Sequence, residues 1–559
     1  MAESPLIDIR PDQWEIVRDI LHKHVSDREV WAFGSRARWT AKQYSDLDLA
    51  VLGNEALDLE TLAGLEEDFS ESDLPFKVDV VDWATTSEAF RGIIEQGRVL
   101  VQEKESKSPI PHPTEWPIVR LGDITSKIGS GATPTGGNGA YLGTRTRFAL
   151  IRSQNVFDRY FNPTGLAFIS DEQAERLRGV ILHPGDLLLN ITGDGITFSR
   201  ACAVPHTVLP ACVNQHVAIV RVDNSVADPG YVLGYLTHPS VKSYIESFNA
   251  GGSRRAITKS NIESFHLPLP PLPEQRAIAQ VLGALDDKLE LNRRMNADLE
   301  AMARALFKDW FVDFGPVRAK VEGRPAYLTP DIWDLFPDAL DDEDKPVGWK
   351  NGKLGDYFEA IKGVSYKGSG LSDAGMPLHN LNSIHEGGGY KYGGIKHYTG
   401  DHGEQHIVKP GDVIVANTEQ GHYRLLIGFA AMVPSLFGHQ GIISHHIYRL
   451  RPKESSPLTA AYLLHLLNSP EMHETVSGYA NGTTVNMLPL AGVQQPQCIA
   501  PPQALVAVFD SIATSFALRR EKNETESRDL ATTRDLLLPK LITGEIRVRD
   551  AEMAVEVII

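Results

Sequence analysis

Residues 274–311, EQRAIAQVLGALDDKLELNRRMNADLEAMARALFKDWF, set the tightest limit on the fold. Apolar side chains recur at steps of three and four: Ile278, Leu282, Leu285, Leu289, then Leu299, Ala303, Leu306 and Trp310. That spacing predicts one helix with one buried seam. At 1.5 Å per residue it would run about 57 Å, and a helix of that length needs a partner helix. The chain supplies one. Residues 508–523, VFDSIATSFALRREKN, overlay residues 281–296 at a shift of 227. Phe509 then falls on Leu282, Ile512 on Leu285, Phe516 on Leu289 and Leu518 on Leu291. Both seams turn polar at one place, Asn292 and Asn296 against Arg519 and Asn523, and polar seam positions fix register.

The correspondence extends beyond the helices. Trp116-Pro-Ile-Val-Arg-Leu-Gly-Asp123 matches Trp349-Lys-Asn-Gly-Lys-Leu-Gly-Asp356, and His183-Pro-Gly-Asp-Leu-Leu-Leu189 matches Lys409-Pro-Gly-Asp-Val-Ile-Val415. Gln215-His216-Val217 lies opposite His445-His446-Ile447, and the loop 250–256 lies opposite 480–486. Four anchors in one order make a tandem duplication. Asp123, Asp186, Asp356 and Asp412 follow glycine at strand entries, where an aspartate bonds its own backbone, so they are read as turn formers. Between anchors the halves diverge in loops rich in donors. The first half offers Thr133, Arg145, Arg147, Arg152, Ser253, Arg254, Arg255 and Lys259. The second offers Tyr390, Lys391, Tyr392, Lys396, His422, Tyr423, Arg424, Asn481, Thr483 and Thr484. Such side chains neutralise phosphates and read base edges, so these are the candidate DNA-contacting residues. His439, His445 and His446 lack a cysteine or acid at ligand spacing, and are read as core or DNA-facing rather than metal-binding.

The net charge of −17 argues against nucleic acid only until it is located. Residues 1–104 hold 11 Lys+Arg and 22 Asp+Glu, and residues 331–344 hold seven acids and no base. Acidity therefore belongs to an appendage and a linker, leaving the duplicated region free to meet DNA. Cys202, Cys212 and Cys498 show no metal-ligand spacing, and a reducing cytoplasm is expected. No apolar run reaches bilayer length, so no membrane partner is expected.

In the appendage, residues 30–51 read VWAFGSRARWTAKQYSDLDLAV. Alternation on a strand puts Asp46 and Asp48 on one face, Leu47 and Leu49 on the other. Paired carboxylates suit Mg²⁺ and an in-line phosphoryl displacement. Gly34 admits close approach of a phosphate and Ser35 adds a hydroxyl. A second strand, FKVDVV, offers Asp79 as a third ligand, with Asp82 at opposite parity.

The G-S-x-A-R…S-D-x-D-L-x-V pattern resembles the minimal nucleotidyltransferases of the polymerase-beta superfamily. The resemblance implies a small α/β domain over residues 1–103, with NTP at Gly34, Ser35 and Arg36. It also implies Mg²⁺ held by the catalytic Asp46, Asp48 and Asp79, and many relatives are antitoxins that transfer a nucleotide to a partner protein. The pattern usually has glycine where this chain has Trp39.

The segments PLPEQRAIAQVLGALDDKLELNRRMN, KDWFVDFGPVRAK and KLITGEIRV resemble the specificity subunits of type I restriction–modification enzymes. That resemblance implies an α+β multidomain chain. After a linker at 104–114 come target-recognition domains at 115–269 and 347–499, separated by two long helices pairing as an antiparallel coiled coil. The first spacer helix spans 270–314, a linker 315–346, and the second helix and tail 500–548. Double-stranded DNA is the implied ligand, read as a bipartite asymmetric site. Two modification (methyltransferase) subunits would dock, with Leu282, Leu285, Leu289, Phe509, Ile512 and Phe516 as the docking candidates, and restriction subunits can join. S-adenosylmethionine and ATP belong to those partners, and the specificity region itself does no chemistry. The competing reading makes nucleotide transfer to a partner protein the main activity, with the duplicated region recruiting it.

Overall fold

The computed structural model describes residues 6–558 other than 26–27, 43, 54–55, 103–107, 194–195, 249–254, 422 and 483–484. Two compact units divide the chain, 1–283 with 536–557, and 284–535 with 558–559.

The first unit begins with a small α/β domain. Helix α1 (Pro11–Val25) precedes strands β1 (Val30–Phe33) and β2 (Leu47–Val51). Helix α2 (Leu59–Glu71), strand β3 (Val78–Asp82), helix α3 (Glu88–Glu95) and strand β4 (Val99–Gln102) follow. The sheet runs β3-β2-β1-β4, with β2 parallel to β3 and β1 antiparallel to both neighbours. Leu47 and Leu49 are fully buried with Val17, Leu21 and Leu65, as the alternation on β2 requires.

Also in this unit, β5 (Thr125–Ser130), β6 (Leu187–Asn190), β7 (Ala201–Ala203) and β8 (Val217–Val222) form an antiparallel sheet of order β7-β6-β8-β5. Leu187, Leu188 and Leu189 are all buried, because both faces of this sheet are covered. The His183-Pro-Gly-Asp186 turn feeds β6. Asp186 Oδ2 accepts from the His183 N–H at 2.7 Å, and the carboxylate takes both Nε and Nη2 of Arg221 at 2.7 Å.

The second unit repeats this device. Strands β9 (Phe358–Lys362), β10 (Val413–Ala416), β11 (Ala430–Met432) and β12 (Ile447–Pro452) pair antiparallel in the order β11-β10-β12-β9, the order of the first half. Asp412 accepts from the Lys409 N–H at 2.8 Å and takes Arg451 through Nε at 2.7 Å and Nη2 at 2.5 Å. Asp186 and Asp412 are thus turn formers, each also neutralising an arginine on the neighbouring strand.

Two helices cross from one unit's residues to the other's: α4 (Leu272–Phe307), continued by a π-turn over Lys308–Val312, and α5 (Gln503–Ile542). α5 is far longer than the segment in which the sequence repeat is visible. Within the second unit the two run antiparallel. Asp286 meets Arg534, Asn292 meets Ser527, Asn296 meets Asn523 and Glu300 meets Arg520, so the numbers of each pair add to 819 or 820. Lys288 and Glu526 add a further ion pair at 3.2 Å.

Between the halves, 315–346 is not a loose tether. Helix Gly315–Val321 buries Val317 and Ala319, and Phe314, Val317 and Phe336 join the apolar cluster of the second unit with Trp310 and Phe509. In the first unit the end of α5 lies where a side chain on Gly234 would meet Ile542, while Gly544 (φ +70°) sits against Pro113 and Trp116. Helix α6 (Val548–Glu556) follows. No helix among the described residues is long and apolar enough to cross a membrane, and the three cysteines are free and buried.

Candidate functional site

In the small domain, β1 ends at Phe33 and a single helical turn, Gly34–Ala37, carries the chain across the sheet edge. Gly34 has φ +76°, and a Cβ there would collide with the Asp48 carboxylate. Glycine is required twice over, by the left-handed backbone and by the close approach. Asp48 pairs in register with Phe33 on one side and Asp79 on the other, and Asp46 immediately precedes β2. The structure therefore brings Gly34, Asp46, Asp48 and Asp79 to one edge. Burial, then Asp79 and Asp46, push the Asp48 carboxyl above the usual carboxylate range, because like charges crowd a half-buried position. Lys77 Nζ sits 2.5 Å from Asp79 Oδ1. Among the described residues no three His, Cys, Asp or Glu side chains are drawn together as a metal-ligating set. The cradle at Gly34 and the crowding at Asp48 nevertheless fit a divalent cation with a phosphate beside it. Asp82, of opposite parity, accepts from Ala84 and Leu57 N–H, each at 3.0 Å, and is structural.

Arg36 departs from expectation. It is buried, its Nε donating to Ser45 O at 2.9 Å and its Nη1 to Asp8 O at 2.8 Å, with Phe76 under the guanidinium at 3.7 Å. It braces two loops rather than facing the Gly34–Ser35 turn. Trp39 keeps the backbone a glycine would take, φ +59°, with its ring 61% exposed.

In the first duplicated half, Arg145 is a backbone clamp, donating to the carbonyls of Arg147, Thr207, Val208 and Leu209 at 2.9–3.3 Å. Its donors are committed within the chain and are not free to read bases. Arg152 donates to Gly165 O at 2.6 Å. Thr133 and Arg147 are exposed, Arg147 standing 3.8 Å from Asp171. Arg255 pairs with Glu246 at 3.0 Å and Lys259 with Glu263 at 3.3 Å.

In the second half, Tyr390 is 6% exposed and bonds His379 Nδ1 at 2.8 Å. Tyr392 packs on Tyr390 and Phe437. Both tyrosines are packing residues, contrary to the sequence reading. Lys391, Lys396, Tyr423, Arg424 and Asn481 are exposed. Ser253, Arg254, His422, Thr483 and Thr484 lie outside the described residues.

Each half presses the segment after its central strand against the matching loop. Residues 192–193 pair with 255–256, and 418–420 with 485–487. Beside them sit two matching pairs that sequence reasoning missed: Thr192 with His216 Nδ1 at 2.6 Å, and Thr418 with His446 Nδ1 at 2.9 Å. The histidines were visible as an anchor, but their threonine partners fall at slightly different offsets. The His445 and His446 rings lie 3.7 Å apart, tilted by 41°, and burial with His445 and Lys362 lowers the His446 pKa.

The docking candidates are also reassigned. Leu282, Leu285, Leu289 and Phe509 are at most 4% exposed, and Ile512 packs against the apolar cluster of the second unit. Phe516 is half-buried and lines a pocket beside Leu299 and Tyr392. These side chains hold this chain together, while Leu291, Leu518 and Leu536 face outward on the helices, 51%, 62% and 62% exposed.

Residues 15–106 match the model of the polymerase beta nucleotidyltransferase family, and residues 113–301 match that of the type I restriction modification DNA specificity domain. Over 105 residues the chain is 54% identical to a probable protein adenylyltransferase, MntA, of Haemophilus influenzae, aligning over 19% of this chain and 92% of that protein. The HindI specificity subunit of the same organism is 24% identical over 492 residues, covering 78% of this chain and 100% of its own length. A crystal structure of the type I S subunit from M. genitalium, 13% identical, covers 78% of this chain and 98% of that one with a TM-score of 0.46. The chain thus carries a polymerase-beta-type nucleotidyltransferase domain followed by a type I restriction–modification DNA specificity domain, and it is similar to type I specificity subunits over 78% of its length.

Proposed function

We propose that the duplicated region reads a bipartite, asymmetric double-stranded DNA site, one part by each half. The observation that carries this is the repetition itself. One antiparallel sheet occurs twice in the same strand order, with the same pairing of a buried Asp to an Arg at its entry, while the loops around it differ. A shared framework with different loops suits two readers of different sequences. Lys391, Lys396, Tyr423, Arg424 and Asn481 in the second half, and Thr133, Arg147, Arg255 and Lys259 in the first, remain the proposed contacts. The paired helices would dock two methyltransferase subunits, which bring S-adenosylmethionine, and a restriction subunit would bring ATP. Methylome sequencing of a host with and without the gene tests this. Gain of one gapped motif is expected, and a continuous motif or none would refute it.

The N-terminal domain supports adenylyl transfer to a protein, on the strength of its Gly34–Asp48 geometry and its likeness to a protein adenylyltransferase. Asp46, Asp48 and Asp79 would hold Mg²⁺, which supplies positive charge at the triphosphate of NTP. Gly34 leaves space for a phosphate, and Ser35 offers its hydroxyl. Incubation of the full chain and its co-purifying proteins with labelled ATP and Mg²⁺ should mark a protein. The label should vanish with Asp46→Asn/Asp48→Asn, and label that survives would refute the assignment.

A further inference from the structure

A cleft of about 540 Å³ opens on the N-terminal domain, lined by Asp8, Arg10, Arg36, Lys42, Tyr44 and Phe76 among others, and by none of the three carboxylates at the Gly34 edge. Arg36 is the informative residue. It is 5% exposed, two of its nitrogens are bonded to backbone carbonyls, and Nη2 is buried with no partner. A guanidinium presents five donors, and a buried charged donor left unmet calls for an acceptor. Burial lowers the Arg36 pKa, with Asp8 and Asp46 pulling it back up. Lys42 and Arg10 add two exposed cations at the rim, Arg10 sharing its charge with Asp12 at 2.8 Å. Three cations against Asp8 make this a basic cleft in a segment with twice as many acids as bases. The Tyr44 ring beside it is 73% exposed, a free flat face.

We propose that this cleft binds a nucleoside monophosphate, its phosphate on Arg36 Nη2, Lys42 and Arg10 and its base on Tyr44. The cations meet a phosphate directly, and the volume is in the range of small-ligand sites. No divalent ion is needed here, whereas bare carboxylates at the Gly34 edge repel phosphate. The site is therefore distinct from the proposed triphosphate site and does not rest on nucleotidyl transfer occurring.

The test is calorimetric titration of the full chain with AMP in EDTA. Saturable binding is expected, weakened about tenfold or more by Arg10→Glu/Lys42→Glu, a loss of two charge-assisted contacts. Both side chains are exposed, so the variant should fold, and circular dichroism checks that it does. Tyr44→Ala should weaken AMP and leave pyrophosphate binding unchanged. Asp46→Asn/Asp48→Asn should not weaken AMP. No binding in EDTA, or equal binding by wild type and Arg10→Glu/Lys42→Glu, would overturn the proposal. So would AMP binding that appears only with Mg²⁺ and is lost in Asp46→Asn/Asp48→Asn, which would place the nucleotide at the carboxylate edge.

Discussion

Replacing Asn523 with leucine should make the protein more stable and its helix register less secure. Asn523 is fully buried, its Nδ2 donating to Asn296 Oδ1 at 2.9 Å while its Oδ1 has no partner. Losing the hydrogen bond costs about 1 kcal/mol, and removing the unpaired carbonyl returns about 1–3 kcal/mol. A buried leucine adds about 1.5–3 kcal/mol, from which imperfect fit subtracts about 1 kcal/mol. The net is roughly 2 kcal/mol in favour of the variant, or about 4–8 °C in Tm for a unit of this size. Asn292 differs, since its Nδ2 reaches Glu526 at 3.0 Å and Ser527 at 3.3 Å. The double variant Asn292→Leu/Asn523→Leu leaves an apolar seam that can slide by a heptad. Register can be read with Asp286→Cys/Arg534→Cys, which places thiols where an ion pair of 3.1 Å now stands, and a short bis-maleimide. Scanning calorimetry should show the rise, and the leucine pair should lower the cross-linking yield. A fall in Tm, or an unchanged yield in the double variant, would refute the reasoning.

Four shorter expectations concern positions already described. Trp39→Gly should stabilise the N-terminal domain by about 0.5–1 kcal/mol, because the left-handed backbone strains tryptophan and its exposed ring buries little; an unchanged or lower first transition on heating contradicts this. Asp48→Asn should raise Tm at neutral pH. The native Asp48 pKa is raised, so its protonated form favours the fold, and that advantage is lost as pH rises through the native pKa. The Tm gap between variant and wild type should close below about pH 4, and a gap that widens on acidification reverses the sign. Leu291→Asp/Leu518→Asp should leave the chain folded and weaken methyltransferase binding in light scattering. Leu285→Asp, at a fully buried position, should cost several kcal/mol and unfold the second unit; a folded Leu285→Asp chain would contradict the seam.

The duplication was legible because it rests on short motifs whose spacing is fixed by backbone geometry. Pro-Gly-Asp must form a turn wherever it enters a strand, and both copies do. Strand parity plus one glycine likewise made legible the neighbourhood of Asp48, with Asp79 beside it in register and Gly34 against its carboxylate. Tyr390 and Arg145 were misread because sequence cannot tell an aromatic in a loop from one folded back onto a core, or an arginine facing solvent from one gripping four carbonyls. The helix stripe carries the same lesson. Periodicity says that Leu285 is covered, not by which chain. Nor could it show that Phe314 and Phe336 draw an acidic linker into the second unit.

The return of α5 to the first half has a consequence for synthesis. Leu541 and Ile542 are fully buried in a unit made of residues 1–283 and 536–557. A ribosome adding about 5–20 residues per second needs on the order of tens of seconds to bridge that interval. Throughout it the first half waits with an open apolar face, while the N-terminal domain, closed by its own four strands, is already complete. Every growing chain therefore passes through a stage in which the appendage is finished and the reader is not.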